Sequence, residues 1–384
     1  MTGQWRYALH DLLTGAQISE HVPFKIESYS TMLAEPGTLT AVLPLGDPAI
    51  RSMRPRELIQ PRRTALVLFR DEQPVWDGII WNRRRKRSDN TLTVGASEVR
   101  SYYARRQLRP ELGYGSAKTL AYTGADLFTV FRGILADAAD LTYLGLRPGD
   151  LGVEVDEGQM SGVLIDRRDS GSDNGAYHGF EFASHAQLLD DLAGTDPGCE
   201  WRIEPYLDGD RVLRRRLILG SPTIGTPDGS PNMATLEYPG DVLDYEWPDD
   251  GEQSANYVAV LGTGDGDNLK WAQAYNDAEL MAGYPLLETT TSHKNDSSLT
   301  VLAERATADL ASLAGDRTVP TLDLNGYAPI TPGDYVRARL ADEDWWPGSG
   351  IVPFEATVRV IGKTVRPGTR ERTTLAIEEP RVAA

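Results

Sequence analysis

A chain of 384 residues, 40% hydrophobic and 25% charged, has room for two to four globular domains. No apolar run approaches the roughly 18 residues of a membrane span, the opening MTGQWRYALHDLL lacks a basic-then-apolar signal segment, and a lone Cys199 excludes a disulfide framework or cysteine metal cluster. The net charge of −17 is uneven: residues 1–110 hold 17 basic and 11 acidic side chains, the remainder 22 and 45. Synthesis in the cytoplasm, without export by a signal peptide, is therefore expected.

Trp5 to Leu9 and Gln17 to Glu20 read as two strands around the Asp11–Gly15 turn. Ile26 to Leu33 and Thr38 to Pro44 alternate apolar and polar residues on either side of Glu35-Pro36-Gly37. From Arg63 to Glu98 the pattern is a meander: Ala65–Phe69, an acidic turn, Val75–Trp81, a basic turn at Arg83-Arg84-Arg85-Lys86-Arg87, then Thr91–Ala96. The basic cluster is expected at a solvated or partner-facing hairpin tip. This first β domain ends near Arg106.

The character then changes. Leu127, Phe128, Val130, Phe131, Ile134 and Leu135 have helical spacing after a polar start, and 150–175 reads as loop. A second helix near 184–193 precedes a hairpin, 199–219, turning at Asp208-Gly209. Val242–Trp247 and Asn256–Leu261 are strands. TVLAERATADLASL, 300–313, is an amphipathic helix. The closing segment, 318–379, echoes the first meander as strand, acidic turn, strand, Arg-rich turn and Thr-Leu strand; no strict period marks a solenoid.

No set of catalytic, cofactor-binding or metal-ligating residues emerges. Of the five histidines, only His178 and His185 are near one another, with Glu181 between, and an i+7 spacing across a helix start suits a shared metal poorly. Gly262 to Asp267 lacks the Lys-Ser/Thr of a phosphate loop and the order of a calcium loop, and reads as a tight turn. Asp190-Asp191, Asp249-Asp250 and Glu378-Glu379 are adjacent and point to different faces. No Gly-x-Ser-x-Gly elbow is present. Trp345-Trp346 could stack on a sugar, or pack on a partner subunit.

Several stretches give the chain a family likeness. They are Tyr7-x-Leu9-x-Asp11-Leu12-Leu13-Thr14-Gly15, Ser28-Tyr29-Ser30 with Pro36-Gly37-Thr38-Leu39 and Leu43-Pro44-Leu45, and Val75-Trp76-Asp77-Gly78-Ile79-Ile80. Ser101-Tyr102-Tyr103-x-Arg105-Arg106 and Pro332-Gly333-Asp334-x-Val336 add to them. Together they resemble the tail hub proteins of long-tailed phages, called minor tail proteins in phages of actinobacteria and baseplate hub or tail-associated proteins elsewhere.

The resemblance implies a mainly β fold, with two tube-type β-barrel or sandwich domains joined by smaller α+β domains. On that plan residues 1–108 are the first tube-type domain and 109–233 the α+β middle region, with helices near 125–139 and 184–193 and the hairpin 199–219. Residues 234–384 are the second tube-type domain, with its helix near 300–313. It further implies a structural virion protein at the phage tail tip, a homotrimer closing the distal end of the tail tube and forming part of the DNA exit channel. Implied partners are the tail tube or distal tail protein, the tape measure protein and tail-tip or receptor-binding proteins. DNA would pass without specific binding, and the chain would not insert in a membrane.

Larger family members carry C-terminal hydrolase or receptor-binding extensions; the sequence ends soon after Glu379, so a lytic or host-recognition role is not expected. No cofactor and no enzymatic activity are expected. The acid excess of 111–384 is expected to help line a non-sticking lumen, with Arg83–Arg87 meeting neighbours. The alternatives from other classes are a β-rich carbohydrate-binding module using Trp345 and Trp346, and a cell-wall hydrolase of the tail tip.

Overall fold

The computed structural model describes residues 3–109, 118–168, 175–195, 197–293, 298–314, 319–342, 344–345 and 354–378. The protein is mainly β. It forms two compact units, one of Met1–Asp244 with Leu322–Ala384 and one of Tyr245–Thr321. These packing units cut the chain differently from the expected division at 108 and 233.

The first unit begins with β1 (Trp5–Asp11), β2 (Gln17–Ser19), β3 (Lys25–Met32), β4 (Thr38–Pro44), short helices α1 (Pro48–Ser52) and α2 (Pro55–Leu58), β5 (Thr64–Arg70), β6 (Gln73–Lys86) and β7 (Thr91–Glu98). Alternation decides the faces. Ile26, Leu39, Ala41, Leu43, Leu92, Val94 and Ala96 form a core with Trp76 and Ile80, while Thr38, Thr40, Thr91 and Thr93 face away. β5 is buried on both faces, because Ala65, Val67 and Phe69 meet a second core that includes Leu151 and Leu213.

One expectation is corrected here. Arg83 to Lys86 do not form the hairpin tip; they continue β6, pairing with Val94, Thr93, Leu92 and Thr91. The turn lies beyond them, at Arg87–Asn90, where Asn90 takes a positive φ of 49°. Arginine stems tolerate a strand when their heads reach solvent or carbonyls.

The middle region holds short strands β8 (Thr119–Leu120), β9 (Tyr122–Asp126), β10 (Val153–Glu154), β11 (Leu164–Arg167) and β12 (Tyr177–His178), so 150–175 is not wholly loop. Helix α3 (Leu127–Ala139) packs against α4 (His185–Ala193), and both bury their apolar faces with Trp201, Leu217 and Leu219. Asp126 caps α3 by accepting from the Phe128 amide, and Ser184 and Gln187 form a capping box on α4. The hairpin is β13 (Glu200–Leu207) with β14 (Leu213–Gly220).

β15 (Ala234–Tyr238) and β16 (Val242–Glu246) follow. In the second unit, β17 (Tyr257–Leu261) pairs antiparallel with β18 (Trp271–Tyr275) and parallel with β19 (Glu288–Ser292). α5 (Asp277–Ala282) lies between those two partners in the chain, and α6 (Leu299–Leu313) packs Leu302, Ala306 and Leu310 on Val258 and Val260. β20 (Thr321–Asn325), β21 (Tyr335–Leu340), β22 (Phe354–Arg366) and β23 (Arg372–Ile377) complete the chain.

One 13-stranded sheet runs β16-β20-β23-β22-β3-β4-β7-β6-β5-β1-β2, with β21 and β15 branching from β22. The join in its middle is β22 with β3, where Gly362, Lys363, Thr364 and Val365 face Met32, Thr31, Ser30 and Tyr29.

Candidate functional site

The polar groups singled out in the sequence do not converge. His185 is fully buried, with Nε2 2.7 Å from Asp137 Oδ2, and Lys118 also pairs with that carboxylate. Burial pushes the Asp137 carboxyl up, but the bonds from His185 and Lys118 outweigh it and hold the group below the usual carboxylate range. His178 instead stacks on Phe180, ring centroids 4.8 Å apart, with Nδ1 3.3 Å from the Thr119 hydroxyl. Among the described residues no three metal-ligating side chains gather.

Asp190 pairs with Arg100 at 3.1 Å while Asp191 pairs with Arg167 at 2.9 Å, two separate structural contacts. Gly264 turns the 262–267 loop with φ +104°. Trp345 is exposed, whereas Trp346 and Glu379 lie outside the described residues.

A cavity of about 250 Å³ in the first unit is lined by Trp76, Glu98, Arg100, Trp201, Tyr327 and Lys363. Burial pushes Glu98 up to about 7, although the Gly37 amide donates to it at 2.7 Å. Burial pushes Lys363 down to about 8, and its Nζ donates to the Ala328 carbonyl at 2.6 Å. Thr31, Thr331 and the Lys363 amine also line this cavity.

The strand edges carry more information, because the large sheet repeats. Its first four strands, β16-β20-β23-β22, are followed by four more of the same kind, β3-β4-β7-β6. β6 and β22 are the long strands, of 14 and 13 residues. Each pairs with its following strand through a bulge, between Ile80 and Asn82 in one and between Val360 and Gly362 in the other. Beyond the bulge, Arg83 faces Val94 as Lys363 faces Leu375, and Lys86 faces Thr91 as Arg366 faces Arg372. Before it, Ala65 faces Ile79 as Tyr335 faces Arg359.

The loops agree. The Leu45 amide donates to the Asn90 carbonyl as the Gly326 amide donates to that of Glu371. Arg83 donates to the carbonyls of Arg56 and Ile59 as Lys363 donates to that of Ala328. The meander echo in the sequence is thus a matched pair of strand modules, in register and in bulge position.

The modules differ at one place. In β22, β21 and β3 share one edge: β21 covers Phe354 to Arg359 and β3 covers Gly362 to Val365. In β6, β5 covers Gln73 to Ile79 of the matching edge, and no described strand continues along Asn82 to Lys86. At the other end of the sheet, among the described residues, β16 pairs with β20 alone.

The sheet face turned from the core is rich in Thr and Ser: Ser30, Thr38, Thr40, Thr91, Thr93, Thr364 and Thr374. By the same registers it carries Lys25, Arg84, Lys86, Arg366 and Arg372, against Asp323, which accepts from Thr374. Glu27, exposed two residues along β3 from Lys25, adds a second carboxylate, so these basic side chains outnumber the acidic ones among the described residues of the paired strands.

Such a sheet, doubled edge to edge and flanked by an α+β region, defines a phage tail-type fold. The solved structures agree. The tail protein of Neisseria meningitidis MC58 is 14% identical over 97% of each chain, with a TM-score of 0.56. The 43 kDa tail protein of prophage MuSo2 from Shewanella oneidensis is 11% identical over 98% of each chain, also at 0.56. No protein-family model matches the sequence, and it matches no curated protein.

Proposed function

We propose that this chain is a structural tail hub: a homotrimer that closes the distal end of a phage tail tube and forms part of the DNA exit channel. The observation that carries this reading is the pair of matched strand modules fused edge to edge in one sheet. Three copies would supply six modules, enough for a closed ring of tube-type units, with residues 1–108 and the β strands of 234–384 as the two tube-type domains. The hub would sit at the tail tip of the virion, as in the long-tailed actinobacterial phages, and meet tube or distal tail, tape measure and receptor-binding proteins. Its role would be non-enzymatic.

In such a ring the polar face of the sheet is the channel wall. Its hydroxyls and scattered cations replace the acidic lining expected from net charge, so repulsion of DNA by excess acid is not carried over. Passage would instead depend on neutral hydroxyl groups that offer no sequence readout.

Native mass spectrometry tests the reading. A trimer is expected; a monomer across the full concentration range would overturn it.

A further inference from the structure

The three-stranded sheet of the second unit has one packed face and one open face. Val258 and Val260 of β17, with Ala272 and Ala274 of β18, pack on the Leu302, Ala306 and Leu310 side of α6. Thr291 of β19 turns the same way, its hydroxyl donating to Asp309 of α6 at 2.6 Å. The alternate residues point to the opposite face, because side chains of a strand alternate. On β18 and β19 every one of those alternate residues is exposed.

The registers lay the open face out in three rows. Trp271, Leu261 and Ser292 form the first, and Tyr275, Tyr257 and Glu288 the third. Between them run Gln273, Ala259 and Thr290, with the smallest side chain of the face at the centre. This is a shallow trough with an aromatic bank on each side. One bank is Trp271; the other is the Tyr257–Tyr275 pair, ring centroids 4.8 Å apart. Trp271 is 49% exposed and Tyr275 46%, so both rings offer surface to a ligand. The rise of a strand sets the Cα atoms of two residues four positions apart about 13 Å from each other.

The chemistry of the trough selects its ligand. Aromatic rings present flat apolar surface, which the C–H faces of a pyranose ring match. Polar groups lie beside that surface. Gln273 Oε1 accepts from the Tyr257 hydroxyl at 3.1 Å, so its amide N–H groups are turned to other acceptors. The Thr290 and Ser292 hydroxyls and the Glu288 carboxylate take hydroxyl donors. Rings flanked by such groups suit a sugar chain better than an aliphatic protein surface. Charge disfavours a polyanion. Glu288 is the one charged side chain of these three rows, and residues 245–321 hold 13 acidic against 4 basic residues. A nucleic acid or an acidic polysaccharide would be repelled. A flat, open sheet also favours a ribbon-like chain over a coiled one.

We propose that the open face of β17, β18 and β19 binds an uncharged glycan chain with equatorial linkages, as in cellulose or chitin, between Trp271 and Tyr275. These residues are distinct from the Trp345-Trp346 pair of the sequence, and the site does not depend on the hub reading.

Isothermal titration calorimetry of the full chain with cellotetraose, chitotetraose and maltotetraose tests the site. Cellotetraose or chitotetraose is expected to bind about 10-fold or more tightly than maltotetraose, whose axial linkages coil the chain. Trp271→Ala and Tyr275→Ala should each weaken that binding about 10-fold, with far-UV circular dichroism unchanged. Trp271→Phe, which keeps a ring, should lose only about 3-fold, and Trp345→Ala should lose nothing. Absence of heat with both cellotetraose and chitotetraose at about 10 mM would overturn the site. So would equal binding by the wild type and both alanine variants, or loss of binding in Trp345→Ala. Native mass spectrometry adds a separate arm. A wild-type oligomer that Trp271→Ala dissociates would mark the face as a contact between copies and overturn the glycan site while leaving the hub reading standing.

Discussion

Among the described residues, Asp77 and Arg215 form the most enclosed ion pair of the first unit, with side chains 3% and 1% exposed. Arg215 Nε donates to Asp77 Oδ2 at 2.7 Å and its Nη1 donates to the Leu151 carbonyl at 2.7 Å. The pair fastens β6 of the first module to β14 of the middle region. Removing one partner from a buried pair costs about 3–5 kcal/mol, because the survivor stays desolvated and uncompensated. A guanidinium keeps its charge, so Arg215 left without Asp77 stays charged and desolvated.

Asp77→Ala is therefore expected to cost about 4 kcal/mol at any pH between 5 and 8. Arg215→Met, which keeps an apolar stem in place of the guanidinium arm, should cost about 3 kcal/mol. Asp77→Leu with Arg215→Met should lie closer to the wild type than Asp77→Ala does. Urea unfolding followed by tryptophan fluorescence reads all three, because Trp76 and Trp201 are both buried. A cost under about 1 kcal/mol for Asp77→Ala, or strict additivity in the double variant, would refute the reasoning.

Two further outcomes can be checked in the same assay. Glu98 has its pKa raised to about 7 in the folded chain, against an ordinary value of 4.5. Between those values the folded state holds more protons than the unfolded one, so stability falls as the pH rises from about 4.5 to 7. The fall should be on the order of 2 kcal/mol, allowing for the part of the carboxyl that still meets solvent, and Glu98→Gln should flatten it. A wild-type stability that rises over this range would count against the assignment. Gly225 has φ +90°, and a Cβ there would lie 2.4 Å from the Gly333 carbonyl carbon and 2.6 Å from the Asp334 nitrogen. Gly225→Ala should cost more than about 2 kcal/mol, while Gly229→Ala, with φ +74° and open space around it, should cost only about 1. Equal costs at the two sites would show that the close approach of the Gly333 backbone is not what fixes Gly225.

Local chemistry made much of the fold readable. Period-two alternation marked β3 and β4, because one face of each meets a core and the other does not. Helical spacing of apolar residues marked α3, α4 and α6, and in the fold Asp126, Ser184 and Ser298 cap them, each side chain accepting from an amide that the helix leaves unpaired. The short strands β8 to β12, and β18 and β19 in the second unit, escaped notice. Runs of two to five residues with ordinary composition carry no periodic signal. The basic stretch at Arg83–Lys86 misled for a different reason. Its charge resembles a turn, but its strand is held by backbone bonds to Thr91–Val94, which depend on nothing its own side chains display.

The candidate site shows the same division. That two meanders share an order of strand, acidic turn, strand, basic turn and strand is written in the residues themselves. That they share a register and a bulge position, and are fused through Tyr29–Met32 against Gly362–Val365, is decided by pairing across more than 300 positions of chain. Backbone amides and carbonyls are alike in every residue, so sequence cannot say which distant edge an edge will meet. Only the packed cores do that, by bringing one edge of β22 against β3 while, among the described residues, the matching stretch of β6 has no strand beside it.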